Sequence, residues 1–391
     1  MTCRYQARKY GSSKSLRANG EVLSENANKM SHLTRSKIIL ASILALALVL
    51  PLSLSGCASQ AKVPLRIFYA GSLIIPFQEL ETAFEKANPG IQLNMEGHGS
   101  IQVIRQVSDL HDEVDVLLSA DESLIPMLLY PSTDPQTGKP NADWYIRFAT
   151  NEMAIAYSAQ SHYANEINSD NWFEILNRPD VRVGIADPRF DANGYRALMV
   201  LKLAEDHYDK PTLFADLMDG QFKYPITVEE ETIIHVPELV ETTPGAQIVV
   251  RGYSVQLLPL VESGDVDYAF EYLSVIEQHG LKPLRLPPQI NLSDPLYRES
   301  YRSLVVNLGY QRFASVKPEF RGEVIGYGLT IPENAAHRQE AEQFIAYLLG
   351  PEGQKIMKAN QHPTVSPPLA DHLDLLPVPL KALCQSIPAT P

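Results

Sequence analysis

The sequence predicts an α/β protein of two lobes, each a parallel-rich sheet covered by helices, with a cleft between them. Three observations carry this. From residue 63 onward, short apolar runs alternate with helix-length segments, the rhythm of parallel strands joined by helical crossovers. Arg147 to Tyr157 reads as a strand that leaves one such unit and enters a second. Two strands end in Gly-Ser just as a helix begins, at Gly71-Ser72 and at Gly99-Ser100.

The elements run in order along the chain. Val63 to Tyr69, with its apolar Ile67-Phe68-Tyr69, is a strand, and Leu73 to Ala87 is the helix after it. Ile91 to Met95 is the second strand and Ile101 to Leu110 its helix; Val114 to Leu118 is a third strand. Residues 131–143, rich in proline and polar side chains, form a loop. Beyond the crossing strand, Trp172 to Leu176 is a short helix, Val181 to Ala186 a strand and Gly194 to Asp206 a helix. Gln247 to Arg251 is a strand, Val255 to Glu262 a helix and Tyr268 to Tyr272 a strand. Val324 to Thr330 is another strand, before helices at Ala335 to Leu349 and Pro351 to Ala359. Residues 210–246 read irregularly.

Residues 38–50 are apolar and uncharged, with Arg35 and Lys37 before them and Leu54-Ser55-Gly56-Cys57 after them. A charged start, an apolar stretch and small residues ahead of a cysteine make a secretion signal. The run is short and Pro51 closes it, which argues against a permanent span. The LSGC tetrapeptide resembles a bacterial lipobox. That implies a leader and lipoprotein signal over residues 1–57, with Cys57 lipidated and the body tethered at the outer face of the cytoplasmic membrane. Met30 is a second candidate start. Of the three cysteines, Cys3 lies upstream of the cleavage point and Cys57 takes lipid, so Cys384 is alone. No disulfide framework or cysteine metal site can form.

The formal net charge is −13. The part after Gly56 is more acidic still, because eight Lys/Arg and only two Asp/Glu precede it. Nucleic acid is therefore not an expected partner. An acidic protein that binds an anion does so through local dipoles, so its binding depends weakly on ionic strength.

A strand that stops at Gly-Ser and opens a helix leaves free N–H groups and a hydroxyl at one point, a seat for an anion. Each turn alone reads first as an ordinary βα turn with an N-cap serine. Two such turns at the carboxyl ends of neighbouring strands favour a small oxyanion site. Neither is a nucleotide phosphate loop: no Lys-Ser/Thr comes after it, and GxGxxG is absent.

The ordered set FYAGSL, EGHGS, VDVLLSAD, WYIRFATNEMAIAYS, NWFEILNRPDVRVGIADP, NGYRALM, LVESGDVDYAFEY and IEQHGL resembles the extracellular tungstate/molybdate-binding components of ABC importers, in their archaeal-type branch and its bacterial relatives. The resemblance spans roughly Pro64 to Pro367. It implies a type II periplasmic-binding-protein fold with two crossover strands, divided as residues 63–147 plus 322–384 for lobe one and 148–321 for lobe two. It implies no enzymatic activity and no cofactor; tungstate or molybdate is the transported ligand of a monomer that serves a permease and an ATPase. Gly71, Ser72 and Ser100 would supply donors from lobe one, and Asp191, Ala192, Asn193, Ser254 and the Tyr272 phenol from lobe two. Asp191 would also be a candidate direct ligand of bound W or Mo.

The residue chemistry suits this guest. A tetraoxo anion of tungsten or molybdenum carries no proton at neutral pH, so its site needs donors and no competing acceptors. Ser72, Ser100, Ser254 and Tyr272 meet that need. Asp191 is the exception, readable as a helix N-cap, as a partner of Arg196 or Arg189, or as a bond to the metal centre. Ser254 stands where the relatives carry glutamate, which points to a four-coordinate or singly expanded anion. Glu271 neighbours Tyr272 on a strand, and adjacent strand side chains point to opposite faces, so Glu271 is expected to face away from the cleft. His98 reads as a loop histidine, Tyr195 and Trp172 as core, and Glu229-Glu230-Glu231 as a solvated run. Alternatives on the same fold are a sulfate-like anion, or iron(III) held by Tyr195, Tyr272, His98 and Asp191. A surface hydrolase built on Ser72 or Ser100 with His98 and Asp191 is the remotest.

Overall fold

The computed structural model describes residues 61–309 and 319–388. The expected leader, the lipobox and Cys57 lie outside the described residues. Ala61–Pro391 forms one compact unit. Among the described residues no helix is long and apolar enough to cross a membrane.

One lobe is built on a seven-stranded sheet of order β16-β15-β4-β14-β3-β1-β2, with β16 (Gln385–Ser386) at its edge. Its first strand, β1 (Val63–Ala70), lies between β2 (Ile91–His98) and β3 (Val116–Ser119), parallel to both. Ile67, Phe68 and Tyr69 are all buried, as a strand covered on both faces requires. The helix Ile74–Ala87 turns Pro76, Phe77, Leu80 and Phe84 inward at helical spacing. Antiparallel strands β14 (Gly326–Thr330), β4 (Ile146–Thr150) and β15 (Thr364–Ala370) extend the sheet, so it is mixed.

The stretch expected to cross between units does so, as two strands. β4 belongs to the seven-stranded sheet, and β5 (Met153–Tyr157) belongs to a five-stranded sheet of order β11-β5-β10-β6-β9, with β11 (Lys282–Arg285) at its edge. Only Asn151 and Glu152 lie between them. In the second sheet β6 (Val183–Ala186) runs parallel to both β10 (Tyr268–Tyr272) and β9 (Ile248–Arg251). The helix Ala192–Tyr208 is buried along most of its length, the pattern of a helix sandwiched on all sides.

A third sheet was not legible in the sequence. Residues 210–246, which read as irregular, contain the helix Leu213–Met218 and strands β7 (Thr227–Glu229) and β8 (Ile233–Val236). β8 pairs in parallel with β12 (Val305–Leu308), and β13 (Glu319–Arg321) closes a four-stranded sheet. Each strand is three or four residues long, too short to show a period.

The two lobes touch. The amides of Ile101 and Gln102, in the first turn of the helix Ser100–Ser108, both donate to the carbonyl of Phe190 in the other lobe (3.1 and 3.3 Å). A Cβ on Gly99 would sit 2.3 Å from that carbonyl oxygen, so only glycine permits the approach. A Cβ on Gly71 would meet the Tyr253 ring at 3.1 Å. Gly99→Ala is therefore expected to hold the lobes apart and raise the radius of gyration in small-angle X-ray scattering. An unchanged radius would show that the Phe190 carbonyl does not fasten this seam.

Candidate functional site

Parallel strands all end at the same edge of a sheet, and the carboxyl ends of such strands are where α/β proteins place ligands. β1 and β2 end side by side, Ala70 opposite His98, so Gly71-Ser72 and Gly99-Ser100 emerge together. In the other lobe β6 leads to Asp191-Ala192-Asn193, β9 to Ser254 and β10 to Tyr272.

One run of contacts links the two sets. Ala120 N donates to Ser100 Oγ (3.0 Å), and the Ala120 carbonyl accepts from Arg196 Nη1 (2.7 Å). The same Nη1 donates to the Tyr272 hydroxyl oxygen (2.8 Å). The Tyr272 ring lies edge-on to Tyr327, with centroids 6.1 Å apart. The Tyr327 hydroxyl shares a 2.9 Å hydrogen bond with Ser72 Oγ and accepts from Asn151 Nδ2 at 3.2 Å. Ser72, Ser100, Ser254 and Tyr272 are all buried. Ser100 and Tyr272 each spend an acceptor lone pair on a protein donor and keep the hydroxyl proton. Gly71, Ser72 and Ala192 sit in first helical turns, where backbone N–H groups have no intrahelical carbonyl.

The second Gly-Ser corner differs from its sequence reading. The amides of Ile101 and Gln102 are already taken by Phe190. Ser100 offers its hydroxyl, and the helix end behind it is closed by the opposite lobe rather than open as an anion seat.

Asp191 caps the helix Ala192–Tyr208, Oδ1 accepting from Asn193 N (3.0 Å). Its Oδ2 accepts from Ser254 N (2.8 Å), which fixes the turn after β9. Of the two arginines considered from sequence, Arg196 pairs with Asp121 (3.3 Å) and Arg189 with Asp187 (2.6 Å). Burial raises the Asp191 pKa, opposed by the Asn193 and Ser254 amides and by Arg196.

Glu271 departs from the strand alternation expected of it. It is fully buried within the site, because β10 ends at Tyr272 and the carboxylate folds back on its own strand end. Oε1 accepts from Tyr272 N (2.7 Å) and from Asn193 Nδ2 (3.3 Å). The Ser254 side chain lies near enough to favour the charged form, yet outside hydrogen-bonding geometry, since Oε2 has no partner.

Sequence reasoning also missed Tyr327, Asn151, Ser274 and His362. Asn151 lies between β4 and β5 and donates to Ser274 Oγ (2.8 Å), which meets His362 Nδ1 at 3.2 Å. His362 lies edge-on to Tyr327. These residues come from four distant stretches without a shared motif; the crossing at Asn151 was the one available signal.

Other candidates fall elsewhere. His98 is partly exposed and its Nε2 lies 3.9 Å from Glu96, so no Ser-His-Asp arrangement forms. Tyr195 stacks on Phe320, 4.7 Å between centroids, and donates to Asp121. Trp172 is core. Glu229, Glu230 and Glu231 are exposed. Among the described residues no group of three or more His, Cys, Asp or Glu could hold a metal ion. The broad open hollow bordered by Arg182, Lys223, Glu241 and Arg251 shares no residue with this network.

Residues 65–360 match the family model of bacterial extracellular solute-binding proteins. The chain is 38% identical over 319 residues to the molybdate/tungstate-binding protein WtpA of Thermococcus kodakarensis, covering 80% of this chain and 85% of that protein. It is 37% identical over 318 residues to the protein of the same name from Pyrococcus abyssi, covering 80% and 87%. Among solved structures, the substrate-binding protein of an ABC transporter from Agrobacterium tumefaciens superposes with a TM-score of 0.51 at 16% identity, over 80% of this chain and 82% of that one.

The buried histidine gives a pH test. Burial holds the His362 pKa down to about 3, so the folded protein refuses a proton that the unfolded chain binds below about 6.5. The unfolded state then binds more protons between those values. Stability is full above the unfolded pKa and falls as pH drops through that window. His362→Gln is expected to flatten this loss in urea denaturation at pH 7 and pH 4.5. Identical pH dependence in the two proteins would show that His362 is charged in the fold.

Proposed function

This chain belongs to the family of bacterial extracellular solute-binding proteins, and from that premise we propose that it captures tungstate or molybdate and delivers it to an ABC importer. Residues 63–147 with 322–384 would form one lobe and 148–321 the other. It acts as a monomer without turnover, held by lipid on Cys57 at the outer face of the membrane, where it meets a permease and an ATPase. The ligand is cargo, not a resident cofactor.

The observation that carries this reading is the pair of anchored hydroxyls. The acceptor side of Ser100 is filled by Ala120 N and that of Tyr272 by Arg196. Their protons are left for a guest that only accepts. With Ser72, Ser254 and the first-turn amides of Gly71, Ser72 and Ala192, they suit four oxygens without protons. Preoriented neutral donors in a closed site lose little on binding. Tungstate and molybdate are taken together because their radii nearly coincide; sulfate, with the same oxygen pattern, would be excluded by cavity size. Asp191, with both oxygens engaged by amides, positions Asn193 and Ser254, and a bond to the metal centre is the competing role.

Iron(III) is disfavoured by the same geometry. Tyr272 and Tyr327 do form a close pair, but burial pushes both phenols up. A tyrosinate–iron site needs the opposite.

Calorimetry is expected to show one tungstate or molybdate per chain, weak dependence on salt, and no heat with phosphate. Tyr272→Phe should weaken binding about ten- to a hundredfold, the worth of one hydrogen bond to a charged guest. Heat with sulfate or phosphate alone would defeat the proposal. X-ray absorption of the tungstate complex is expected to give a four-coordinate or singly expanded metal; six-coordinate tungsten would make Asp191 a ligand.

A further inference from the structure

We infer that Glu271 is a specificity-determining residue of this site, a carboxyl held neutral whose Oε2–H donates to the bound oxyanion. The inference rests on the tungstate/molybdate reading above. It starts from an asymmetry between two oxygens of one buried side chain. Oε1 takes two donors, Tyr272 N and Asn193 Nδ2, at 2.7 and 3.3 Å. Oε2 takes none. A carboxylate buried with one oxygen unbonded loses its hydration without replacement. A carboxylic acid with its carbonyl oxygen on the two N–H groups and its hydroxyl toward the guest satisfies every atom once ligand is present.

The groups around it favour the neutral form. From the helix Ala192–Tyr208 come Asn193 and, at the cap, the Asp191 carboxylate, whose charge disfavours a second one nearby. From the turn after β9 comes the neutral Ser254. Tyr272 beside it and Tyr327 on β14 are protonated phenols. Arg196 reaches Tyr272 and Asp121, and no bond joins it to Glu271. Burial, with Asp191, pushes the Glu271 pKa up to about 8, against the bond from Tyr272 N and the nearby Ser254 hydroxyl.

The chemical consequence is selection by proton count. A neutral carboxyl donates to a guest without protons and leaves no charged acceptor for a guest that carries one, such as hydrogen phosphate. A dianion raises the Glu271 pKa further, so binding above pH 8 draws one proton from solvent.

Tungstate calorimetry from pH 6.5 to 9.5, in buffers of differing ionisation enthalpy, should show uptake approaching one proton per tungstate at high pH. Affinity should fall up to about tenfold per pH unit above 8. In Glu271→Gln, which keeps an N–H donor, uptake and slope should vanish; in Glu271→Ala, affinity at pH 6.5 should drop at least tenfold. Proton release on binding, with affinity rising with pH, would overturn the proposal and make the carboxylate a metal ligand. A ligand-free readout separates this from the cargo assignment. Wild-type minus Glu271→Gln infrared spectra should contain a protonated-carboxyl band at pH 6.5 that is gone by pH 9.5. Absence of that band overturns the inference. Its presence in a protein that gives no heat with tungstate at any pH would overturn the cargo and Glu271's place in binding it.

Discussion

Arg196 is the contact on which the site depends. It is 3% exposed and belongs to the lobe of the five-stranded sheet, yet two of its three partners, the Ala120 carbonyl and the Asp121 carboxylate, belong to the other lobe. Its third partner, the Tyr272 hydroxyl, orients a donor of the site. A buried guanidinium is tolerated only when its N–H groups are met. The cation therefore holds the lobes in register, and Asp121 cancels its charge. Under the proposed function an anion would then be recognised by dipoles, in a chain whose net charge of −13 has the wrong sign for attraction.

The rest of the site is held by the same economy of hydrogen bonds. Asp191 uses one oxygen to cap a helix and the other to fix Ser254. The Phe190 carbonyl occupies the first-turn amides of Ile101 and Gln102. Asn151, between the sheets, joins Tyr327 and Ser274, so the crossover is bonded to the donor network it carries.

The sequence showed the strand ends bearing Gly71-Ser72, Gly99-Ser100 and Tyr272 because continuous apolar runs stop abruptly there. It showed the crossing near Asn151 because strand-forming residues continue on both sides. It did not show Tyr327, a tyrosine like any other until β14 inserts between β3 and β4. Nor did it show the true direction of Glu271, since alternation holds inside a strand and lapses where a strand ends.

Local chemistry thus determined by itself the βα rhythm, the helix caps and the stock of hydroxyl and amide donors, all of which depend on neighbours within a few residues. Which donors remain free, which helix end the opposite lobe closes, and whether a buried carboxyl holds its proton were decided by tertiary structure. Each of those depends on groups more than fifty residues apart in the chain, brought within hydrogen-bond distance only when both lobes are folded and closed.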